Sequence, residues 1–355
     1  MTTSGTYNSL TIPVEPLVRE AFERIGIPGE LTEYQKLDAA VRSLNFMLKE
    51  WMTRGVNLWT LQTALMPLVP RQGTYGLPPQ VNDITQVNLR TSFRQLNGTA
   101  TSTKSGDAAH AFDDNPQTAC TQTEKNGTIS YDFGAGNTQV ITLVGIQNKE
   151  ATQQYTLTIS GAQGTSAAVP LLTLPQQTYP VNPQGLGLIQ WFEIPTPGAY
   201  QIYSITETGG ATLNIQEIYF NTMVRDTPLS RVSRSEYLSY PVPQQIGRPS
   251  VYYLDRQITP VLWVWPTPSS VYNCLSYSYE RMMEDVGTVT NTVQIPARFY
   301  EALIWGLAWH MACKYAPDKA ENARAYYDAT FNQASTDDSE GTPVTIYADF
   351  SGRGG

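Results

Sequence analysis

The middle of this chain follows a different residue pattern from its two ends. Between residues 95 and 222 only 12 of 128 residues are charged, against 42 of the remaining 227. Apolar and polar residues alternate there, and Gly, Pro and Asn separate the runs. The clearest alternating runs lie at 129–133, 140–146, 155–159 and 213–220. Because alternation at sandwich-like spacing is typical of strands with one buried face, we predict a separate all-β domain over 95–222.

Both ends of the chain instead place apolar residues at helical spacing. The first such stretches cover 15–25 and 37–51. Two more lie near the other end, over 296–315, where Pro296 suits a first helical turn, and over 318–334. Neither pair of helices can bury its apolar stripes alone, so we predict one four-helix frame built from both ends.

Together these patterns predict an α+β fold in which a β-sandwich is inserted into a discontinuous helical domain. We expect the helical domain, with small β elements formed by short apolar runs, to cover 1–94 and 223–334. Such an insertion is tolerated where the two ends of the inserted domain lie close together. The remaining residues, 335–355, begin with a polar, acidic hinge and form an extended C-terminal arm.

The C-terminal arm carries apolar side chains that so short a segment cannot bury by itself. Ile346, Tyr347 and Phe350 stand there, with Arg353 among glycines. An extended arm of this kind buries its apolar groups by ordering on a partner, and the alternative is a disordered end. We predict that the arm docks on another protein.

Charge and hydropathy exclude two kinds of partner. Acidic residues outnumber basic ones by 31 to 23, the net charge is −8, and no Lys/Arg cluster stands out. Tight binding of nucleic acid phosphates requires such a cluster, so we do not expect it. No apolar run reaches the roughly 18 to 20 residues of a membrane span, and the N-terminus lacks a signal-peptide pattern. We expect a soluble chain that is made in a cytoplasm and binds no membrane.

Cysteine and histidine give no metal-binding or catalytic pattern. Cys120, Cys274 and Cys313 are an odd set without metal-ligand spacing, and His110 and His310 stand alone. We therefore expect no metal site, no cofactor and no enzyme activity. We expect Cys313 to be a buried thiol on an apolar helix face, and His310, on the same helix, to be a core or interface residue.

One acidic turn has a sharper and a simpler interpretation. Asp113, Asp114 and Asn115 carry the hard oxygen atoms that a calcium ion requires, and the turn is also a candidate glycan contact. A solvated turn built around Asn115-Pro116 explains the same residues without a ligand, and we favour it.

Aromatic and charged residues in the downstream flank are candidates for frame or subunit contacts. Trp263 and Trp265 are two residues apart on one predicted strand, so we expect them to share a face and pack together. Asp255 and Arg256 form either an ion pair or part of an intersubunit contact. The residues assigned to such contacts are Trp51, Trp59, Tyr253, Asp255, Arg256, Trp265 and Tyr300.

Short motifs in both flanks occur in a recognisable order. Upstream they are Ala21-Phe22, Ile25-Gly26, Leu44-Asn45, Met47-Leu48, Trp51, Gly55 and Leu58-Trp59. Downstream they are Leu229, Ser233-Arg234, Glu236-Tyr237, Gly247-Arg248-Pro249, 252–257 (YYLDRQ), Val264-Trp265-Pro266 and 300–308 (YEALIWGLA). Together these segments resemble the head-to-tail adaptor proteins, also called connector or tail accessory proteins, of short-tailed bacteriophages.

This resemblance implies a structural virion protein at the head–tail junction, synthesised in the cytoplasm of the host bacterium. Twelve copies would form a homo-oligomeric ring that joins the portal protein to the tail nozzle protein. DNA would pass through the lumen without specific binding, which agrees with the few basic residues because each neutralised phosphate adds affinity. The arm carrying Ile346, Tyr347, Phe350 and Arg353 would dock between adjacent portal subunits.

A second set of motifs lies in the predicted β-domain, at 111–118 (AFDDNPQT), 127–134 (GTISYDFG), 144–146, 155–160 and 213–220. These segments resemble a discoidin-type, galactose-binding-like jelly roll, with Cys120 in place of the usual aromatic residue. The resemblance implies an insert that contacts neighbouring virion proteins or binds surface glycan. The alternative function is therefore a carbohydrate-binding or host-recognition tail module. A third, a glycan hydrolase, requires two carboxylates in a cleft, and no motif marks such a pair.

Overall fold

The computed structural model describes residues 12–28, 34–54, 60–104, 106–149, 153–178 and 188–337. In this part of the chain the α-helices are α1 Val14–Arg24, α2 Tyr34–Thr53, α3 Arg234–Leu238, α4 Tyr300–Tyr315 and α5 Ala320–Asp337. The first ten strands are β1 Leu61–Pro67, β2 Thr74–Gly76, β3 Val81–Arg94, β4 Thr99–Ser102, β5 Cys120–Thr121, β6 Thr128–Asp132, β7 Gln139–Val140, β8 Leu143–Asn148, β9 Gln154–Ala162 and β10 Val169–Thr178. The next ten are β11 Ile189–Glu193, β12 Ala199–Tyr200, β13 Ile202–Glu207, β14 Asn214–Pro228, β15 Ser230–Arg231, β16 Ile246–Gly247, β17 Val251–Asp255, β18 Val261–Trp265, β19 Thr267–Pro268 and β20 Cys274–Arg281.

Two compact units make up the chain. The helical unit consists of Met1–Leu61 and Arg281–Gly355, and the β unit consists of Gln62–Glu280. The helical unit therefore takes helices from both flanks of the sequence, and the β unit is one continuous stretch between these flanks.

Helices α1, α2, α4 and α5 bury their apolar residues in one core of the helical unit. In α1 and α2 the buried residues recur three and four apart, as the sequence predicts. Gly26 follows α1 with φ of 80°, a conformation that glycine adopts without strain. The largest fully buried side chains of this core are Trp51, Tyr327, Phe22, Phe299, Leu44, Met47 and Leu48.

Trp51 occupies the centre of this core. Its indole Nε1 donates to the Tyr327 hydroxyl at 2.8 Å, so the buried polar atom of each aromatic residue has a partner. The Trp51 ring lies 5.5 Å from the Phe299 ring and 5.4 Å from the Phe331 ring, centroid to centroid. One tryptophan from the first half of the chain thus packs against three aromatic residues from the second half.

The prediction that Cys313 is buried was wrong, because its side chain is exposed. Helix α4 is so apolar that spacing alone does not show which side faces the core; the buried residues lie at 302–304, 306–308 and 311–312. His310, on the same helix, is half-buried beside Trp309, with ring centroids 4.9 Å apart, and burial lowers the pKa of its imidazole.

The β unit contains the predicted β-sandwich. One sheet has the strand order β1-β20-β3-β14-β8-β11, with β5 also paired to β14, and the second has the order β10-β9-β13-β6-β4. Residues from both sheets share one core, which confirms the all-β prediction for this segment. The core is formed chiefly by Ile129, Tyr131, Phe133, Val144, Ile146, Tyr155, Leu157, Ile159, Tyr203, Ile205, Leu213, Ile215, Ile218 and Phe220.

Strand β14 is buried on both faces over residues 214–222, because the second sheet covers one face and a smaller apolar cluster covers the other. Its first part pairs with β8, and its second part pairs with β3, where Asn221 is opposite Arg94. The register shifts between Thr222 and Arg225, and Met223 has φ of 50° at this bulge. The sheet therefore continues past residue 222.

A four-stranded sheet, ordered β15-β17-β18-β2, forms the other part of the β unit. Its apolar residues share a core with residues of β1, β3 and β20. In β18 Leu262 and Val264 are buried in that core, and Trp263 and Trp265 lie on the opposite face, beside α3. This alternation agrees with the predicted strand.

Candidate functional site

A charge cluster with buried and exposed members joins β3, β14 and the turn at 113–118. The Arg94 guanidinium donates to Asp114 Oδ1 at 2.8 Å and to Glu217 Oε2 at 2.5 Å. It also donates to the Ile218 carbonyl at 2.5 Å and lies 4.1 Å from the centroid of the Tyr219 ring. Arg94 is almost buried and Glu217 is fully buried, so their contact is shielded from water, whereas the Asp114 side chain is exposed.

Glu217 titrates close to neutral pH. Burial raises the pKa of its carboxyl to about 7, and the neighbouring Asp113 carboxyl also raises it, whereas Arg94 acts in the opposite direction. The two carboxyls converge on one backbone donor, because the Asn115 N–H lies 2.8 Å from Glu217 Oε1 and 3.0 Å from Asp113 Oδ1. The Glu217 carboxyl therefore stays protonated at pH values well above the pH at which an exposed glutamate loses its proton.

Side-chain oxygen atoms of the acidic turn at 113–115 accept hydrogen bonds from within the protein. Asp113 accepts hydrogen bonds from the Asn115 N–H and from Thr118 Oγ1, the latter at 2.8 Å. Asp114 has φ of 59° and pairs with Arg94. Within the described ranges, no group of three His, Cys, Asp or Glu side chains is arranged to hold a metal ion.

Three aromatic side chains form a row on the face of β8, β11 and β14 that is turned away from the sandwich core. Gly145 of β8 is opposite both Trp191 and Tyr219. A Cβ atom at Gly145 would lie 2.7 Å from the Trp191 ring, so the missing side chain leaves the space that the indole occupies. The Trp191 and Tyr219 ring centroids are 5.6 Å apart, and Tyr272 lies 6.0 Å beyond Tyr219.

This row lines a cavity of about 170 Å³, which we call the aromatic pocket. Its walls include Trp191, Tyr219, Tyr272, Arg94, Asp114 and Asn221. Sequence reasoning identified only Asp114 among them. The others stand on β3, β11, β14 and the segment before β20, and only the fold brings them together. Of these residues, only Tyr219 lies in an alternating run identified in the sequence, 213–220.

A larger groove, of about 560 Å³, lies between the loop at 69–74, α3 and β18. Trp263 and Trp265 share a strand face there, as predicted, but each packs against a different tyrosine. Trp263 lies 5.7 Å from Tyr237, and Trp265 stacks on Tyr240 with centroids 4.2 Å apart. The tryptophans therefore fix α3 against the sheet.

The remaining predicted contact residues are dispersed. Arg256 pairs with Asp83, which also binds Arg231 at 2.9 Å, whereas Asp255 accepts from Gln257 Nε2 at 2.7 Å. Tyr253 lies in the aromatic cluster around Tyr237, and Tyr300 packs against the helical core, which also contains the buried Trp51. Trp59, Ile346, Tyr347, Phe350 and Arg353 lie outside the described residues.

The buried cysteines are unsuited to nucleophilic chemistry. Burial raises the pKa of the Cys120 thiol to about 11 and that of Cys274 to about 12, so both stay protonated at neutral pH.

Among the described helices, none combines the length and the apolar character that a bilayer crossing requires.

Comparisons with solved structures find carbohydrate-binding modules. A family 32 module from C. perfringens NanJ, in complex with galactose, is 16% identical and aligns over 38% of this chain and 99% of its own, with a TM-score of 0.30. A chitosan-binding module of a chitosanase/glucanase from Paenibacillus sp. IK-5 is 20% identical over 35% of this chain and 94% of its own, with a TM-score of 0.29. CBM62 from Clostridium thermocellum Xyl5A is 21% identical over 37% and 98%, with a TM-score of 0.32. Likenesses at this level carry no inference about ligand or activity.

Sequence comparison identifies the family. No curated protein sequence matches the chain. The sequence profile described as SU10 adaptor protein matches residues 147–347, which is more than half of the chain and includes β14, α4 and α5. The chain therefore belongs to the SU10 adaptor protein family of phage head-to-tail adaptors.

Proposed function

We propose that this protein is a structural, non-catalytic component of a phage virion that forms a ring at the head–tail junction. In this proposal twelve copies join the portal protein to the tail nozzle protein, and DNA passes through the lumen. Family membership over residues 147–347 is the observation that carries the proposal. The helical core supports the proposal, because helices from both flanks of the sequence bury their apolar residues in one core and can act as a single domain in assembly.

We propose that the three domains expected from the sequence have separate roles. The adaptor domain comprises 1–94 and 223–334, the inserted sandwich comprises 95–222, and the arm comprises 335–355. A lumen that lets DNA pass needs few phosphate contacts, since each contact strengthens binding. The surplus of eight negative charges in the whole chain supports passage without tight binding.

Assembly with the portal tests this proposal. The full chain mixed with its portal protein should form rings by negative-stain electron microscopy, and deletion of residues 342–355 should abolish them. A full-length variant with Tyr347→Ser and Phe350→Ser should also fail, because the arm would lose its apolar groups while keeping its length. A chain that ignores the portal would contradict the proposal, and rings from the deletion variant would contradict the role of the arm.

Carbohydrate binding through the β-sandwich is the second candidate function. The observation that favours it is the aromatic pocket, since aromatic faces beside polar groups suit a ligand with both apolar and hydroxyl surface. A glycan array probed with the full chain tests it. Retention on one class of glycan would support a recognition role beside the adaptor role, and no retention on any glycan would refute it.

A further inference from the structure

Unpartnered polar atoms concentrate at the aromatic pocket. Nine buried side-chain N or O atoms in the described residues lack a hydrogen-bond partner, and three of them belong to walls of this one cavity. They are Arg94 Nε, Trp191 Nε1 and Asn221 Oδ1. A buried donor or acceptor without a partner costs roughly 1–3 kcal/mol, and native proteins leave few of them. Three such atoms in residues that line one cavity favour a ligand that could supply the missing partners.

The residues that carry these atoms are held firmly. Trp191 is 4% exposed and Asn221 is 3% exposed. Asn221 Nδ2 donates to Ser92 Oγ at 2.7 Å, which fixes the amide with one polar atom satisfied and the other not. If the amide were turned over, a nitrogen instead of an oxygen would lack a partner, so the unsatisfied atom persists in either orientation.

The charged side chains in the walls of the aromatic pocket favour a neutral ligand. The Arg94 guanidinium already binds the Asp114 carboxylate and the Glu217 carboxyl group, so its charge is engaged within the protein. The Asp114 carboxylate would repel a phosphate or a sugar acid, and it is itself paired, which disfavours a cation. A hydroxyl-rich molecule meets neither penalty, because a hydroxyl both donates and accepts.

The size of the aromatic pocket favours a ligand with a single ring. The cavity of about 170 Å³ is smaller than the roughly 300–1,000 Å³ of sites for drug-sized ligands. Three aromatic residues line it, and of these Tyr272 is half-exposed, so its ring offers a face that suits the C–H face of a sugar ring. The unpartnered atoms are themselves buried, so a ligand reaches them only if a wall of the cavity moves aside; Tyr272, which is half-exposed and outside the regular strands, is the wall that we expect to move.

We propose that the aromatic pocket binds one neutral sugar residue. Arg94 Nε and Trp191 Nε1 donate to sugar oxygens, Asn221 Oδ1 accepts from a sugar hydroxyl, and the ring packs against Tyr272. This inference rests on the second proposed function and gives that function its site and ligand class. It is independent of ring assembly.

Saturation-transfer NMR on the full chain tests the site. The probes are D-glucose, D-galactose and N-acetyl-D-glucosamine, with glucuronate and glucose 6-phosphate as charged counterparts. We expect at least one neutral sugar to bind and the charged sugars to bind at least tenfold more weakly. Tyr272→Ala should weaken binding about tenfold by removing the packing surface, and Trp191→Phe about fivefold by removing one donor while keeping a ring. Tyr326→Ala, at a tyrosine of similar exposure on α5, is the matched control and should bind like the parent chain.

The outcomes separate this inference from the function on which it rests. Neutral-sugar binding that both pocket variants weaken and Tyr326→Ala does not would support the site. Glycan retention that neither variant changes would keep the second function and refute this site. Binding of glucuronate or glucose 6-phosphate as tight as that of the neutral sugars would refute the ligand class. If the parent chain is folded by circular dichroism and binds no sugar and no glycan, both the site and the second function are refuted.

Discussion

The buried carboxyl of Glu217 should make the β unit less stable as the pH rises towards neutrality. Its pKa is raised from an ordinary 4.5 to about 7 in the folded protein, chiefly by burial. Between these values the folded chain keeps a proton that the unfolded chain has lost, so the free energy of unfolding falls with rising pH. The stability that this retained proton contributes is fully present below pH 4.5 and is lost as the pH rises through 7. One pKa unit corresponds to about 1.4 kcal/mol, so this group accounts for about 2–3 kcal/mol between pH 5 and pH 8.

Glu217→Gln removes the titrating group and keeps the side-chain shape. We expect the parent chain to lose about 2–3 kcal/mol more than the variant between pH 5 and pH 8. The difference between the two pH values is the informative quantity, because a glutamine amide does not reproduce both acceptor contacts made by Glu217 Oε1 and Oε2. Urea unfolding followed by pulse hydrogen exchange resolves β8 and β14 from the helical unit, so that unfolding of each unit is measured separately.

An exposed carboxyl provides the control for this experiment. Glu124 is exposed and accepts a hydrogen bond from Lys104 at 2.8 Å, and that contact lowers the pKa of its carboxyl. Glu124→Gln should therefore leave the loss of stability with rising pH in place. The reasoning is refuted if the parent chain and Glu217→Gln show the same pH dependence, or if the parent becomes relatively more stable between pH 5 and pH 8.

Three further predictions follow from burial and close packing. Trp51→Ala should destabilise the helical unit by roughly 3–5 kcal/mol in urea titration, because it leaves a cavity beside three aromatic rings, and an unchanged midpoint would contradict the central position of this side chain. Gly145→Val should cost about 1–3 kcal/mol by thermal denaturation and weaken the contact between Trp191 and Tyr219, since even a Cβ atom there meets the indole at 2.7 Å. Native alkylation with iodoacetamide, read by mass spectrometry, should modify Cys313 and spare the two buried cysteines; labelling of three thiols without denaturant would refute the burial.

Local periodicity was enough to predict α1, α2, α4 and α5 and the sandwich strands β6, β8, β9 and β14, and it failed where burial depends on a second layer. Cys313 was misassigned because α4 is apolar around most of its circumference. Glu217 lies in a strand covered on both faces, so its burial is invisible to a pattern that assumes one polar face. Trp191, Tyr219 and Tyr272 come together through strand order, and no spacing along the chain encodes that neighbourhood.

The attachment of the sandwich links the two proposed functions. Strands β3 and β14 remain paired through Asn221 opposite Arg94 and Thr222 opposite Phe93, and pairing resumes at Arg225 after the bulge. Rotating β8, β11 and the first part of β14 against β1, β3 and β20 would break these main-chain hydrogen bonds, each worth about 0.5–1.5 kcal/mol, so the aromatic pocket keeps a fixed orientation within the β unit. Binding of one neutral sugar in so small a cavity is weak, but a twelve-copy ring would repeat the pocket at fixed spacing. Simultaneous contacts on a glycan-bearing surface would then raise the overall affinity by orders of magnitude without any new contact. The assembled ring should therefore be retained on a glycan surface at concentrations at which the single chain is not, and equal retention of both forms would show that the pockets act singly.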